Sequence, residues 1–105
     1  MPRKKLPRKS PASADTTTVV MCLYIAHNAP NSLLAIANLT SICQEYLHDN
    51  FQLEIVDVLD KPLRALADGI LVTPSLAKLA PLPIATIVGN LSDKNSVMLA
   101  LGIRQ

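Results

Sequence analysis

The apolar positions of this chain gather first in an unbroken run, Val19 to Ala26. A run of that length without alternation predicts a strand buried on both faces. It breaks at His27-Asn28-Ala29-Pro30, and a different period takes over. From about Asn31 to His48, apolar residues recur three and four positions apart, at Leu33, Ile36, Ala37, Leu39, Ile42, Cys43, Tyr46 and Leu47. That spacing predicts a long helix with a broad apolar face. Asn28 and Asn31 are candidate caps, and Pro30 stands where a first turn tolerates proline. Over Gln52 to Val58 the pattern partly alternates, with Leu53 and Ile55 set against Glu54. This predicts a strand with one less buried face, as at a sheet edge. Strand, helix and strand in this order make a βαβ unit.

Asp60 to Asp68 predicts a turn and a short helix, with Pro62 in its first turn and Gly69 as a C-terminal cap. Beyond Gly69 the pattern is ambiguous. Ile70 to Ala80 is apolar and split by Pro74, which allows either a strand after Thr73-Pro74 or a helix beginning at Pro74. Ile84 to Val88 predicts a strand and Gly89-Asn90 a turn. Ser92-Asp93 predicts the cap of a helix over Lys94 to Leu101. The order βαβαββα describes a thioredoxin-like α/β domain, here spanning residues 18–105. In that fold a Thr-Pro ahead of the third strand commonly carries a cis bond, and Thr73-Pro74 holds that place. A cis X-Pro bond costs only about 0.5–1 kcal/mol.

Half of the residues are apolar, but Tyr24, Tyr46 and Phe51 are the whole aromatic complement, so the core must be aliphatic. The net charge of +2 hides an asymmetry. Arg3, Lys4, Lys5, Arg8 and Lys9 supply five of the ten basic residues, and without them the chain is net acidic. Residues 1–17 combine this basic cluster with prolines, serines and threonines, too little apolar surface to offset the entropy of ordering. They are expected to form a disordered, solvated basic tail, and nucleic acid is not the expected partner. The charged start is followed by no apolar signal segment, and no run reaches the roughly 20 residues of a membrane span. A cytoplasmic protein without membrane contact is the expectation.

A thioredoxin-like layout raises the question of redox chemistry. Such chemistry needs a thiolate at the start of the first helix, where the helix dipole lowers its pKa. Asn28-Ala-Pro-Asn31 occupies that place. Cys22 lies in the first strand and Cys43 well inside the helix, so both read as small buried hydrophobes, with no disulfide expected in a reducing compartment. His27 is a lone histidine with no Cys, Asp or Glu beside it in sequence, and neither it nor His48 reads as a metal ligand or a base. Gly69, Gly89 and Gly102 are the three glycines, and none forms a phosphate-binding loop. No catalytic residue, metal or cofactor is expected.

Four segments carry a resemblance. They are Leu23-Tyr-Ile-Ala-His-Asn-Ala-Pro-Asn-Ser32, Leu53-Glu-Ile-Val-Asp-Val-Leu59, Ile70-Leu-Val-Thr-Pro-Ser-Leu-Ala-Lys-Leu79 and Ile87-Val-Gly-Asn-Leu-Ser-Asp93. In order and spacing they resemble the KaiB family of circadian-clock proteins, over nearly everything from Val19 to Leu101. The resemblance implies a non-enzymatic, metamorphic binding protein. One form self-associates to a dimer or tetramer with its C-terminal half packed differently. The other is a thioredoxin-like monomer that binds the ATPase ring of a KaiC-type hexamer and engages KaiA or SasA-like proteins. Members typically carry Gly at the place of His27, Thr at Ala29, an acidic pair at Leu66-Ala67 and an arginine pair at Ala85-Thr86. They also carry an acidic C-terminal extension, which is not seen before Gln105. These differences point to a divergent KaiB-like paralogue, tuned to a different KaiC homologue or to stress adaptation without KaiC.

Two sets of residues follow. If the second strand is an edge, a partner can add to it by strand augmentation, and Leu53, Glu54, Ile55 and Asp57, with Lys61 and Arg64 just beyond, form the expected docking edge. The alternative is a protected edge with ordinary solvated charges. Thr73, Pro74, Pro81, Pro83, Gly89, Asn90 and Asp93 form the expected switching region, against an alternative of simple loop punctuation.

Overall fold

A computed structural model describes residues 18–103. The expected basic tail, residues 1–17, lies outside the described residues. The elements follow in the order β1 (Val19–Ile25), α1 (Pro30–Ile42), a π-helical turn continuing it (Cys43–Leu47), β2 (Phe51–Asp57), α2 (Pro62–Ala67), β3 (Ser75–Ala80), β4 (Ala85–Val88) and α3 (Lys94–Leu101). They form one four-stranded sheet in the order β2-β1-β3-β4. β2 runs parallel to β1, β3 antiparallel to β1, and β4 antiparallel to β3. This is the expected thioredoxin-like arrangement. The ambiguity after Pro74 resolves to a strand, and β2 lies at a sheet edge. Among the described residues, no helix is long and apolar enough to cross a membrane.

β1 is central, and six of its seven residues are buried. Its pleat divides the core in two. Val19, Met21, Leu23 and Ile25 meet Ala35, Leu39 and Ile42 of α1 and Val97, Met98 and Leu101 of α3. On the other face, Cys22 and Tyr24 meet Val56 in a much smaller cluster. That face is roofed by α2, of which only Ala65 is buried.

The first helix departs from the sequence pattern in three ways. Neither Asn28 nor Asn31 caps it: Ala29 holds the cap position, and no side chain bonds the first turn. Ser32 is drawn inward instead, its Oγ accepting the Ala26 N–H at 3.0 Å. With Ser32 and Ala35 on the seam, the helix lies close to β1 and rotates so that Leu33 and Ala37 turn to solvent. The helix also ends in a wider turn than expected, closed by a 2.8 Å bond from the His48 N–H to the Cys43 carbonyl.

α3 obeys the sequence rules. Asp93 accepts from the Ser96 N–H, and the left-handed Gly102 (φ +78°) ends the helix while its N–H meets the Leu99 carbonyl. Gly69 (φ +74°) closes α2 in the same manner. The Thr73–Pro74 bond is cis, as are Ala80–Pro81 and Leu82–Pro83.

The rotation of α1 separates two leucines that periodicity treats alike. Leu39→Ala empties a fully buried site and is expected to cost about 2–5 kcal/mol. Leu33→Ala removes a half-exposed side chain and is expected to stay within about 0.5 kcal/mol of the parent. Urea unfolding of the two variants checks this, and equal losses would contradict the packing.

Candidate functional site

Two groups of polar side chains gather around the β1–β2 pair. The first ties α2 to the sheet. Arg64 donates to both oxygens of Glu54, from Nη1 at 2.9 Å and from Nη2 at 2.8 Å. Its Nε donates to Asp68 Oδ2 at 3.0 Å, and the same oxygen accepts the Tyr24 hydroxyl at 2.7 Å. A guanidinium fork satisfied this way is fixed in geometry as well as charge. The bonds from Arg64 hold Glu54 below the usual carboxylate range, while those from Tyr24 and Arg64 do the same for Asp68. Burial, helped by the bond to Asp68, keeps the Tyr24 phenol protonated well above its ordinary range.

The second group sits at the strand ends. Parallel pairing sets Ile25 opposite Asp57, so the residues that follow both strands emerge at one pole. His27, at φ +46°, donates its backbone N–H to Asp57 Oδ1 at 3.2 Å, and its Nδ1 meets Asp57 Oδ2. Leu59 N–H adds a third bond to Asp57 Oδ1 at 3.0 Å. Partial burial opposes the charge of Asp57, but the bonds from Leu59 and His27 prevail and lower its pKa. The expectation that His27 lacks an acidic neighbour is thus overturned, because the register brings in a residue thirty positions away. Asp60 joins them, the ligand atoms of the three residues all lying within 4.8 Å of one another. One imidazole and two carboxylates suit a divalent transition ion. Here His27 and Asp57 already engage each other near the surface, and the group reads as a clasp between strand ends.

The expected docking residues therefore divide. Leu53 is half-buried on the α1 face, and Ile55, on the same side, is 43% exposed at the edge. Lys61 is exposed at the start of α2. Glu54 and Arg64 are committed to each other and Asp57 to His27. The expected switching residues line one half of the chain. Pro74 precedes β3, and its carbonyl accepts the Gly89 N–H at 2.9 Å. Pro81 and Pro83 turn β3 into β4. Asn90 offers its carbonyl to Asn38 Nδ2 at 2.9 Å and its Oδ1 to the Ser92 N–H at 3.0 Å.

The two thiols are free and buried. Burial raises both, Cys43 to about 11. A thiol held protonated at neutral pH is a poor nucleophile.

Glu54, Asp57, Asp68 and Asp93 all carry lowered pKa values in the folded chain, so folding favours their charged forms. Their contribution to stability is complete above about pH 4, the ordinary carboxylate range. It is lost as pH falls through the lowered folded-state values. Thermal melts are expected to be level between about pH 7 and pH 5 and to fall steeply below about pH 4. Asp68→Asn is expected to melt lower at neutral pH and to show a shallower acid fall; an acid profile identical to the parent's would contradict the assignment.

Comparison with known proteins follows the same lines. Chloroplastic thioredoxin z superposes with a TM-score of 0.70 at 19% identity, over 87% of this chain and 81% of that one. The N-terminal domain of SasA from Synechococcus elongatus superposes with a TM-score of 0.68 at 20% identity, over 95% of this chain and 94% of that one. These likenesses establish the thioredoxin-like fold. In sequence, circadian clock protein KaiB3 of Synechocystis sp. is 45% identical over 89 residues, which span 85% of this chain and 87% of that protein. Circadian clock oscillator protein KaiB of Synechococcus elongatus is 41% identical over 86 residues, spanning 82% and 84% of the two chains. Residues 22–103 match the KaiB family model, the KaiB domain. A family model matched over most of the chain and relatives above 40% identity agree: the chain belongs to the KaiB family.

Proposed function

We propose that this chain is a non-enzymatic clock-type regulator that binds the ATPase ring of a KaiC-type hexamer and modulates its cycle. One observation carries the reading: in a chain of the KaiB family, β2 ends the sheet with an edge that is unpaired among the described residues. A row of free backbone groups is a template for an added strand or loop. Ile55 supplies an exposed apolar contact beside it and Lys61 a positive charge. Glu54, Arg64 and Asp57 act indirectly, by fixing α2 and the strand ends that frame the edge. The buried thiols and the absence of cysteine at the start of α1 favour binding over disulfide exchange. KaiA or SasA-like proteins are further partners of the same kind, and the cytoplasm is the setting this role requires.

The thioredoxin-like packing is the binding form, and the half from Thr73 to Asp93 repacks to leave it. Gly89 is the control point. Its φ of +119° is one that an L side chain rarely adopts, although space is open around it. Gly89→Ala strains this packing by about 1 kcal/mol or more, and the alternative packing need not share the strain.

A second reading, self-association without KaiC, draws on the α2 face. Leu79 and Ile84 border an open groove of about 360 Å³ there, and both are exposed. Apolar surface of that kind favours burial against another copy.

Size-exclusion chromatography with light scattering, with and without a KaiC-type hexamer, separates the two. Slow growth of a larger complex over minutes to hours is expected. Gly89→Ala should form it roughly fivefold less, in keeping with about 1 kcal/mol. A stable dimer or tetramer that never joins the hexamer overturns the KaiC reading and leaves the second. Binding with kinetics unchanged in Gly89→Ala overturns the switch.

A further inference from the structure

Lys78 is the one charged side chain that the described core takes in, at 4% exposure. It stands opposite Met21 in the β1–β3 register, so it leaves the sheet on the side of α1 and α3. There it lines an open pocket of about 510 Å³, at the end of β1 away from His27 and Asp57. The walls come from Val19, from Tyr46 and Leu47 of the π-helical turn, from the Pro81–Pro83 segment and from Leu101. No described lining residue is acidic. Among the described residues, Lys78 Nζ has neither an ion pair nor a hydrogen bond.

An ammonium carries three donors and no acceptor. Held at 4% exposure without a described partner, it has donors to spare, and a single acceptor group delivered into the pocket would meet them. The size lies within the roughly 300–1,000 Å³ range of small-molecule sites, which are typically apolar with few orienting polar groups. The π-helical turn that supplies Tyr46 and Leu47 is itself an uncommon geometry, frequent at functional sites. Tyr46 is held in place by Lys94, whose Nζ lies 4.9 Å from the ring centroid and 3.4 Å from Glu45 Oε1. The wall is therefore braced without using Lys78.

We infer that this pocket binds a small monocarboxylate with an apolar body, its carboxylate on Lys78 Nζ and its body against the proline and leucine walls. The chemistry selects this class. A phosphate or polyanion calls for several donors, as an arginine cluster or helix N-terminus provides; one lysine, with no second basic residue among the described lining, matches one negative charge. The site is independent of the β2 edge and of the partner reading.

Octanoate serves as the probe, with octanol and octylamine as length-matched controls, in amide-resolved NMR titrations of the full chain. Octanoate is expected to shift the amides of Tyr46, Lys78 and Leu101 to saturation, with octanol at least tenfold weaker and octylamine without effect. Lys78→Met preserves length and apolar bulk; it should reduce octanoate affinity at least tenfold, leave octanol binding unchanged, and bring the two ligands level. Lys78→Arg should retain the preference for octanoate. Octanol binding as tightly as octanoate, undiminished octanoate binding by Lys78→Met, or no saturable shift at these amides would each overturn the inference. Should Lys78→Met fail to fold, the three ligands on the unaltered chain still decide it.

Discussion

Everything in this domain leans on the double burial of β1. The strand is bonded on both sides, parallel to β2 and antiparallel to β3, and covered on both faces. Backbone groups in that position have no water to fall back on and must find partners in the sheet. The requirement sets the order of the other strands, brings α1 back across one face, and sends the chain after β2 over the other. It also brings the ends of β1 and β2 to one pole, where His27 and Asp57 meet.

The two faces are held by different forces. Against α1 and α3 the cohesion is aliphatic, a continuous layer from Val19 to Leu101. Against α2 it is largely a polar lattice, with Arg64 bridging Glu54 and Asp68, and Tyr24 anchoring Asp68 from below. Dispersion and water exclusion tolerate substitution of similar volume, whereas a bidentate lattice depends on particular atoms. Leu66 and Ala67, where the family resemblance implies an acidic pair, lie on this second face and leave that lattice untouched, since α2 meets the sheet through Arg64 and Ala65.

Much of the fold was legible because local signals agreed. The apolar run of β1, the Pro62 and Gly69 ends of α2 and the Asp93 cap each point to the element that forms. The misreadings share a cause, which is that tertiary contacts outranked local preference. Asn28 and Asn31 are better caps than Ala29 in isolation, but Ser32 pulls the turn toward Ala26. Leu33 fits the helical period, but small residues set the seam. Around Pro74 local rules permit two states, and pairing with β1 selects one. The polar groups were legible only in pieces. His27 and Asp57 are distant in sequence, and a βαβ reading already implied that their strands end together; that implication was the available signal. Lys78 offered none, because local pattern left its segment open between strand and helix, and only the register with β1 turns it inward.

The thin cover of the α2 face has a kinetic meaning. Local opening in proteins occurs where few apolar contacts must be surrendered. α2 buries one residue, Ala65, while its exposed Leu63 and Leu66 contribute nothing to holding it down. Its amides, and those of β4 at the far edge, should exchange with solvent through small excursions that leave the rest intact. The amides of β1 should exchange only when the whole domain unfolds. The molecule thus carries a hierarchy of opening free energies, with its softest layer lying directly over the strand that all else is built upon.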